Sequence, residues 1–409
     1  MRILIVSQYF WPENFRINDL TLALRERGHE VTVLTGVPNY PAGRLFEGYR
    51  WWRNRHDNLE GIPVYRVPLF LRRKGRGWQL ALNFLSFAFY GCLLGPWLLR
   101  RQAFDAIFVY EPSPVTVGIP AILLRRLKKA PMVFWIQDLW PDTLFATGAI
   151  RSPSVLAIIG RLVKWIYRNC DMILVQSKGF IEPANKAGAA RERIVYFPNW
   201  SEDLYRPLRL PPDAPERDEV PGEGFVVMFA GNLGVAQSLE TILNAAEILR
   251  QESVFWVFLG DGRQYPWMQE QIATRGLDRV RLLGRRPLEA MPAYFSLADA
   301  LLVTLRPDPV MMATIPGKVQ SYMACARPIL GALDGEGARV IRESGAGLTV
   351  ASGDAQGLAT AVLHMKGMSQ AERQGMGDAA AAYYHRNFDR ERLLDQLEGW
   401  LQGLVREAR

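Results

Sequence analysis

Lys318 stands in the stretch IPGKVQSYMACARPIL, residues 315–330, where Pro-Gly leads into a helical pattern and an apolar run follows. A lysine at a helix start can meet an anion, because the helix amino terminus adds unsatisfied N–H groups. Taken alone, such a lysine is more often a solvated surface residue. Three earlier turns change the balance. FAGNLGVAQ, 229–237, supplies Gly231, Asn232, Gly234 and Gln237; FLGDGRQ, 258–264, supplies Gly260 and Gly262; LLGRRP, 282–287, supplies Arg285. Each follows an apolar run of strand type. Glycines in that place let backbone N–H groups approach a phosphate. Four strand-end features in one region suit a nucleotide diphosphate.

The first half offers a different chemistry. After its first strand comes SQYFWPENFRINDL, with Asn14 and Arg16, where a dinucleotide enzyme would show glycines. That argues against hydride transfer. GVPNYPAG, 36–43, carries Asn39 and Tyr40; YEPSPVT, 110–116, carries Glu111; WIQDLWPD, 135–142, carries Asp138. These are candidates to line a cleft, and capping or turn roles for Asn14 and Asp138 are equally open. Four histidines without a close pair and three scattered cysteines make neither a metal pattern nor an even disulfide set. Cysteine usage suits a reducing cytoplasm.

The elements that must position these residues read as strand and helix in alternation. RILIVS, EVTVLT, AIFVYE, MVFWIQ and MILVQS form one buried series; FVVMFAG, FWVFLG, VRLLG, ALLVTL and PILGAL form a second. With 409 residues, the chain predicts two α/β domains, each a doubly wound, Rossmann-like sheet, facing across a cleft. The expected boundaries are 1–205 for an acceptor-side domain, 206–224 for a linker rich in proline and charge, and 225–387 for a donor domain. A helix over 388–409 is expected to pack back on the first domain.

Charge is uneven. Residues 1–204 carry 27 Lys+Arg against 16 Asp+Glu, net +11, and the remainder 22 against 25, net −3. A basic half suggests nucleic acid or an anionic membrane. Trp78–Leu99 has no charge over 22 residues, with Arg72, Arg73, Lys74 and Arg76 before it and Arg100 and Arg101 after. The length suits a membrane span. Basic flanks at both ends, strands of one sheet on either side, and interruptions at Gln79, Asn83, Ser86, Gly91, Gly95 and Pro96 favour a helix dipping into one leaflet. Arg72, Arg73, Lys74, Trp78, Phe84, Phe87, Trp97 and Arg100 are the expected membrane contacts. A basic cluster flanking an apolar run, with no spaced aromatics, speaks against nucleic acid as partner.

GHEVTVLT, FPNWSEDLYRPL, FAGNLGVAQSLETILNAAEIL, FLGDG, RVRLLGRRPLEAMPAYFSLADALLVTL and IPGKVQSYMACARPIL together resemble a family-4 glycosyltransferase of the GT-B fold. YFWPENFRINDL and WIQDLWPD resemble the branch of bacterial O-antigen and capsule enzymes related to N-acetyl-L-fucosamine transferases. The resemblance spans nearly the whole chain. It implies transfer from a UDP-sugar to an undecaprenyl-diphosphate-linked saccharide, with retention of configuration and no metal, at the cytoplasmic face of the bacterial inner membrane. The absence of an Asp-x-Asp motif agrees with a metal-independent site, and no cofactor is expected. By the same resemblance Lys318 meets the donor diphosphate and Asp138 orients the reacting sugar or receives the acceptor proton. Two glutamates eight residues apart, usual in the wider family, are replaced by Ala313 and Ser321. Ser321 then stands at the donor ribose or sugar. A nucleotide-sugar 2-epimerase of the same architecture and an inactive scaffold are the alternatives.

Overall fold

A computed structural model describes residues 1–51, 56–73 and 75–408. The chain divides into two compact units, Met1–Phe197 with Glu391–Arg409, and Pro198–Arg390.

In the first unit the strands are β1 (Arg2–Val6), β2 (Glu30–Gly36), β3 (His56–Leu59), β4 (Ile62–Val67), β5 (Ala106–Glu111), β6 (Met132–Ile136), β7 (Met172–Val175) and β8 (Ile194–Tyr196). They form one sheet in the order β3-β4-β2-β1-β5-β6-β7-β8, parallel except for the β3–β4 hairpin. Its helices are α1 (Arg16–Glu26), α2 (Gly77–Leu98), α3 (Gly118–Lys128), α4 (Asp142–Ala146), α5 (Pro153–Arg168) and α6 (Ile181–Lys186). The strand order reverses between β1 and β5, and the carboxyl ends at such a reversal are where doubly wound sheets take their ligands. β1, β5 and β6 are almost wholly apolar and buried, as strands covered on both faces must be.

In the second unit β9 (Phe225–Ala230), β10 (Val254–Leu259), β11 (Val280–Gly284), β12 (Ala300–Thr304), β13 (Ile329–Ala332) and β14 (Gly347–Val350) form an all-parallel sheet, ordered β11-β10-β9-β12-β13-β14. Its helices are α7 (Glu216–Glu219), α8 (Leu239–Ile248), α9 (Tyr265–Arg275), α10 (Met291–Leu297), α11 (Pro309–Ala313), α12 (Gly317–Ala324), α13 (Gly335–Ser344), α14 (Ala355–Gly367) and α15 (Gln370–Asn387). Alternate residues of β9 feed two cores: Val226, Met228 and Ala230 on one face, Phe225, Val227 and Phe229 on the other. Here the order reverses between β9 and β12.

Residues 198–224 belong to this second unit. Gln320 Nε2 donates to Asn199 O at 2.7 Å, Ser201 Oγ to Tyr384 Oη at 2.7 Å, and Glu219 accepts from Arg286 and Tyr294 at 2.6 and 2.8 Å. The stretch read as a linker over 206–224 thus carries a short helix, tied by an ion pair to Arg286 in the turn after β11 and by a hydrogen bond to Tyr294 of α10. The last helix, α16 (Arg390–Glu407), packs in the first unit. Arg27 reaches Glu391, Asp395 and Glu398 at 2.6, 2.6 and 2.7 Å, and Trp400 meets Phe197 edge-on.

Helix α2 shows why its sequence is interrupted. Gln79, Asn83, Phe87, Gly91 and Gly95 recur every four residues and form its packed stripe. A side chain at 91 would meet Pro120 of α3 at 2.9 Å, and one at 95 would meet Leu34 at 3.2 Å. Asn83 accepts from Gln8 at 2.7 Å and donates to Phe70 O at 2.5 Å. Trp78, Leu82, Leu85, Phe89, Leu93 and Trp97 line the other side and are all exposed. Phe87, expected among the membrane contacts, is fully buried because it falls on the packed stripe.

Candidate nucleotide-sugar and acceptor sites

The donor-side residues converge at the β9–β12 reversal of the second unit. Ala230 N–H, at the end of β9, donates to Tyr322 Oη of α12 at 3.1 Å, which sets α12 against the strand end. The chain then turns through Gly231, whose φ of +129° favours glycine and whose added Cβ would lie 2.8 Å from Lys318 Cε. Gly260, φ +143°, passes so close to Gly231 that a Cβ would meet its carbonyl oxygen at 1.9 Å, and a Cβ on Gly262 would meet Leu233 O at 2.4 Å. Backbone bonds from Gly231 N to Leu259 O (2.8 Å) and from Leu233 N to Asp261 O (2.9 Å) interlock the two turns. Gly260 N donates to Gly284 O, which brings the turn before Arg285 alongside.

Lys318 enters this layer from the first turn of α12. Its Nζ lies 3.4 Å from the centroid of the Phe229 ring and 2.6 Å from Gln237 Oε1. No carboxylate pairs with it among the described residues. The loop carrying Gln237 is tied to the end of β12, by Thr304 Oγ1 donating to Gln237 O and by Arg306 N donating to Ala236 O. Burial of the ammonium pushes its pKa well below the ordinary lysine value, while the ring face and the amide oxygen favour the cation. Asn232 and Arg285 are exposed beside this layer, and Ser321 bonds back to Gly317 O at 3.3 Å. The structure therefore brings Gly231, Gly234, Gln237, Gly260, Gly262 and Lys318 together as one cationic, glycine-lined surface. Sequence reasoning missed Phe229 and Tyr322, since an aromatic in a strand or helix core carries no sign that it holds a lysine or a strand end.

The acceptor-side residues surround the β1–β5 reversal of the first unit. Glu13 was overlooked in the sequence, and it organises that loop layer. Its buried carboxylate accepts from Phe10 N at 3.1 Å and from Asn39 N and Tyr40 N, both at 2.7 Å. Burial raises its pKa to about 7 against the pull of those three bonds. Asn39 is fully buried, donates to Val37 O, and belongs to this scaffold rather than to a cleft surface. Tyr40 packs with Tyr9 and Phe15, and Arg72 lies over the Tyr40 and Tyr9 rings at 4.8 and 5.9 Å. Arg72, expected at a membrane, is half-buried and covers this aromatic cluster. Asn14 is exposed and does not cap α1, whose first turn is preceded by Phe15. Arg16 opens α1 beside Tyr110.

Glu111 and Asp138 end neighbouring strands. Glu111 is fully buried, and neither carboxyl oxygen has a hydrogen-bond partner among the described residues; burial and the nearby Asp138 charge push its pKa well up. Asp138 is raised too, mainly by burial, and accepts from Thr143 Oγ1 at 2.5 Å. Burial thus leaves two neighbouring carboxyls both favouring the protonated form. Of the remaining lipid-side candidates, Trp78, Trp97, Arg73 and Arg100 are exposed, Arg100 stacking on Trp97 at 4.7 Å. Phe84 is half-buried against Trp140, and Lys74 lies outside the described residues. A cavity of about 590 Å³, lined by Arg2, Arg25 and His29 among others, opens at the amino ends of β1 and β2, away from all these loops.

Two doubly wound sheets, parallel but for one hairpin, give the GT-B fold, and the solved structures agree in that fold. Sucrose-phosphate synthase from Thermosynechococcus elongatus superposes with a TM-score of 0.73 at 15% identity over 100% of both chains. Anabaena HepE, solved with UDP, gives 0.71 at 17% identity over 98% of this chain and 100% of its own. Residues 14–200 match the glycosyl transferase 4-like domain and residues 224–366 the glycosyl transferases group 1 domain. The chain belongs to the family-4 glycosyltransferases and is a nucleotide-sugar-dependent enzyme. It is 26% identical to the putative colanic acid biosynthesis glycosyl transferase WcaI of Escherichia coli K12, over 79% of this chain and 81% of that one. It is 24% identical to the probable glycosyltransferase WbjE of Pseudomonas aeruginosa, over 76% and 78%.

Proposed function

We propose that this enzyme transfers an N-acetylated amino or deoxy sugar, of the N-acetyl-L-fucosamine type, from UDP to a polyprenyl-diphosphate-linked saccharide in cell-surface polysaccharide synthesis. The observation that carries the donor half is Lys318, a lysine without a carboxylate partner among the described residues, aimed into interlocked glycine turns. A diphosphate would supply the missing negative charge, with the α12 amino terminus and the loop N–H groups adding to it. The uridine assignment is supported by HepE, a structural neighbour solved with UDP. The polysaccharide setting is supported by the name of the colanic acid relative.

In the reaction proposed, the bond from the anomeric carbon to the UDP β-phosphate oxygen breaks as the acceptor oxygen attacks from the same face, giving retention. The acceptor proton passes to the departing phosphate oxygen. The chain's part is to hold the diphosphate through Lys318 and the glycine turns, and to orient the reacting groups through Asp138. Metal independence belongs to the same reading, since Lys318 and the helix terminus occupy the charge-neutralising role. The exposed α2 stripe, bounded by Trp78 and Trp97 with Arg73 and Arg100 beyond, supports a peripheral position on the cytoplasmic face of an anionic inner membrane.

The test is calorimetric titration of the purified protein with UDP and GDP in EDTA, followed by transfer assays with UDP-amino sugars and polyprenyl-diphosphate saccharides. Clear UDP binding and product formation in EDTA support the reading. GDP preference moves the donor class, and loss of turnover in EDTA overturns the metal-free mechanism.

A further inference from the structure

We propose that α5 is a second lipid-contact helix, so that α2, α4 and α5 present one surface to an anionic bilayer and that surface ends at the Asp138 loop; the inference rests on the reading of the enzyme as working at a membrane. Val155, Ile158 and Trp165 of α5 are 41, 61 and 40% exposed, and Phe145 of α4 is 63% exposed. Large apolar side chains grouped in this way mark an interaction surface. On α5 Ile158 and Trp165 share one side, two turns apart, with Val155 at the first turn, while Val163, Ile166 and Tyr167 form the buried stripe. The helix is amphipathic with its core side already filled.

Charge selects the partner. Residues 151–170 contain Arg151, Arg161, Lys164 and Arg168 and no acidic residue. Arg161, Lys164 and Arg168 flank the apolar stripe, so their stems can lie along an interface while their charges reach headgroups. A second copy of the chain would bring the same positive face against itself. An anionic bilayer meets both the apolar stripe and the charge.

Position joins α5 to α2. Both pack on α3: Gly91 of α2 sits against Pro120, and a side chain at Gly118 would meet Ile166 of α5 at 2.7 Å. Between the two helices, Trp140 meets the Phe84 ring of α2 at 6.0 Å, and Asp138 is bonded to Thr143 of α4. Lipid contact along α2 and α5 would bring a membrane-embedded acceptor to that loop and fix the loop from both sides.

The experiment is co-sedimentation of the full chain with phosphatidylcholine vesicles, with and without phosphatidylglycerol. Three variants are compared: Arg161→Gln/Lys164→Gln/Arg168→Gln, Ile158→Glu/Trp165→Glu, and, in α2, Leu85→Glu/Phe89→Glu. UDP affinity and the melting temperature serve as controls for folding. At about fivefold per basic residue, the triple glutamine variant is expected to bind anionic vesicles on the order of 100-fold more weakly, with UDP affinity unchanged. The Ile158/Trp165 variant is expected to weaken binding as well. If both α5 variants bind like the parent while the α2 variant fails, α5 is not a lipid contact and the membrane reading survives without it. If none of the three loses binding, the membrane reading itself falls. If Ile158→Glu/Trp165→Glu breaks a dimer seen by ultracentrifugation without changing vesicle binding, the face is a protein interface and the proposal is overturned.

Discussion

The Lys318 ammonium sits 3.4 Å above the centroid of the Phe229 ring and donates to Gln237 at 2.6 Å, so a cation is held on the sheet end without a counter-ion among the described residues. Burial lowers its pKa, which means the folded chain binds fewer protons than the unfolded one between the lowered value and the ordinary lysine value. Stability rises with pH across that window. A bound diphosphate reverses the preference and draws a proton onto Lys318. UDP binding is therefore expected to take up protons and to weaken as pH rises, read by calorimetry in two buffers of different ionisation enthalpy. Lys318→Met should remove the buffer dependence and weaken UDP roughly 10- to 100-fold, the range for a charge-assisted hydrogen bond. Equal binding by the variant would remove Lys318 from the donor site.

Gly231 and Gly260 separate folding from binding. A Cβ at 260 collides with a backbone oxygen at 1.9 Å, whereas one at 231 meets the far end of a flexible lysine at 2.8 Å. Gly260→Ala should cost at least 1–3 kcal/mol, roughly the range for strained backbone, and show as a lower melting temperature. Gly231→Ala is also strained by its φ of +129°, but without a backbone collision it should keep more of the melting temperature than Gly260→Ala, and it should lose UDP affinity because Lys318 must move. A Gly231→Ala protein that melts low and binds UDP normally would contradict this assignment.

Much of this was legible in the sequence. All ten apolar runs read as strands are strands or contain one, since a strand buried on both faces shows itself as an uninterrupted apolar run. The β3–β4 hairpin was not read, because HDNL and IPVYRV alternate charge and proline at the end of the sheet. That the glycine turns and Lys318 gather at the strand ends was legible, for glycines just after strands mark close backbone approach. Glu13 and Arg66 were not. Arg66 is buried in β4 and donates to Trp11 O at 2.6 Å, and Glu13 collects three amides from two loops. Apart from the Phe10 amide these partners are distant in sequence, and nothing local marks either residue. The α2 polar residues were read as flaws in an apolar run; their four-residue spacing was the signal that they face the protein.

Glu13 ties pH to the acceptor-side loops. Its pKa of about 7 in the folded chain lies above the ordinary glutamate value of 4.5, so the folded state prefers the protonated group. That contribution to stability is complete below pH 4.5 and is lost as pH rises through about 7. The loss is on the order of 3 kcal/mol. Glu13→Gln should flatten the melting-temperature profile across this window. Glu13→Ala should lower it at every pH, because three loop amides lose their acceptor. A Glu13→Gln profile as steep as the parent's would place the titration elsewhere.

Asp138 can be tested apart from folding and from donor binding. It lies in the first unit, at the end of β6, while Lys318 and the glycine turns lie in the second. Asp138→Asn keeps an acceptor for Thr143 and removes the charge. Turnover should fall about 100- to 10,000-fold, the span of general acid–base effects, with UDP affinity and melting temperature near the parent's. Loss of stability with normal turnover would make Asp138 a loop-holding residue only.

Glu111 gives the opposite kind of prediction, a substitution that stabilises. A fully buried carboxyl whose oxygens find no hydrogen-bond partner among the described residues favours the neutral acid, against a weaker pull from the Gln137 and Asp138 amides. Its folded pKa is raised, so it contributes fully below the unfolded glutamate value and destabilises progressively as pH rises toward the folded one. Glu111→Gln holds the shape and cannot ionise. At acid pH the variant and parent should melt alike; at pH 8 the variant should be the more stable, because only the parent carries a group that ionisation in the unfolded state favours. Should Glu111→Gln instead lose turnover while gaining this stability, the acid is acting with Asp138 in proton handling. A variant less stable than the parent at both pH values would mean that Glu111 is held by an interaction the carboxamide cannot make.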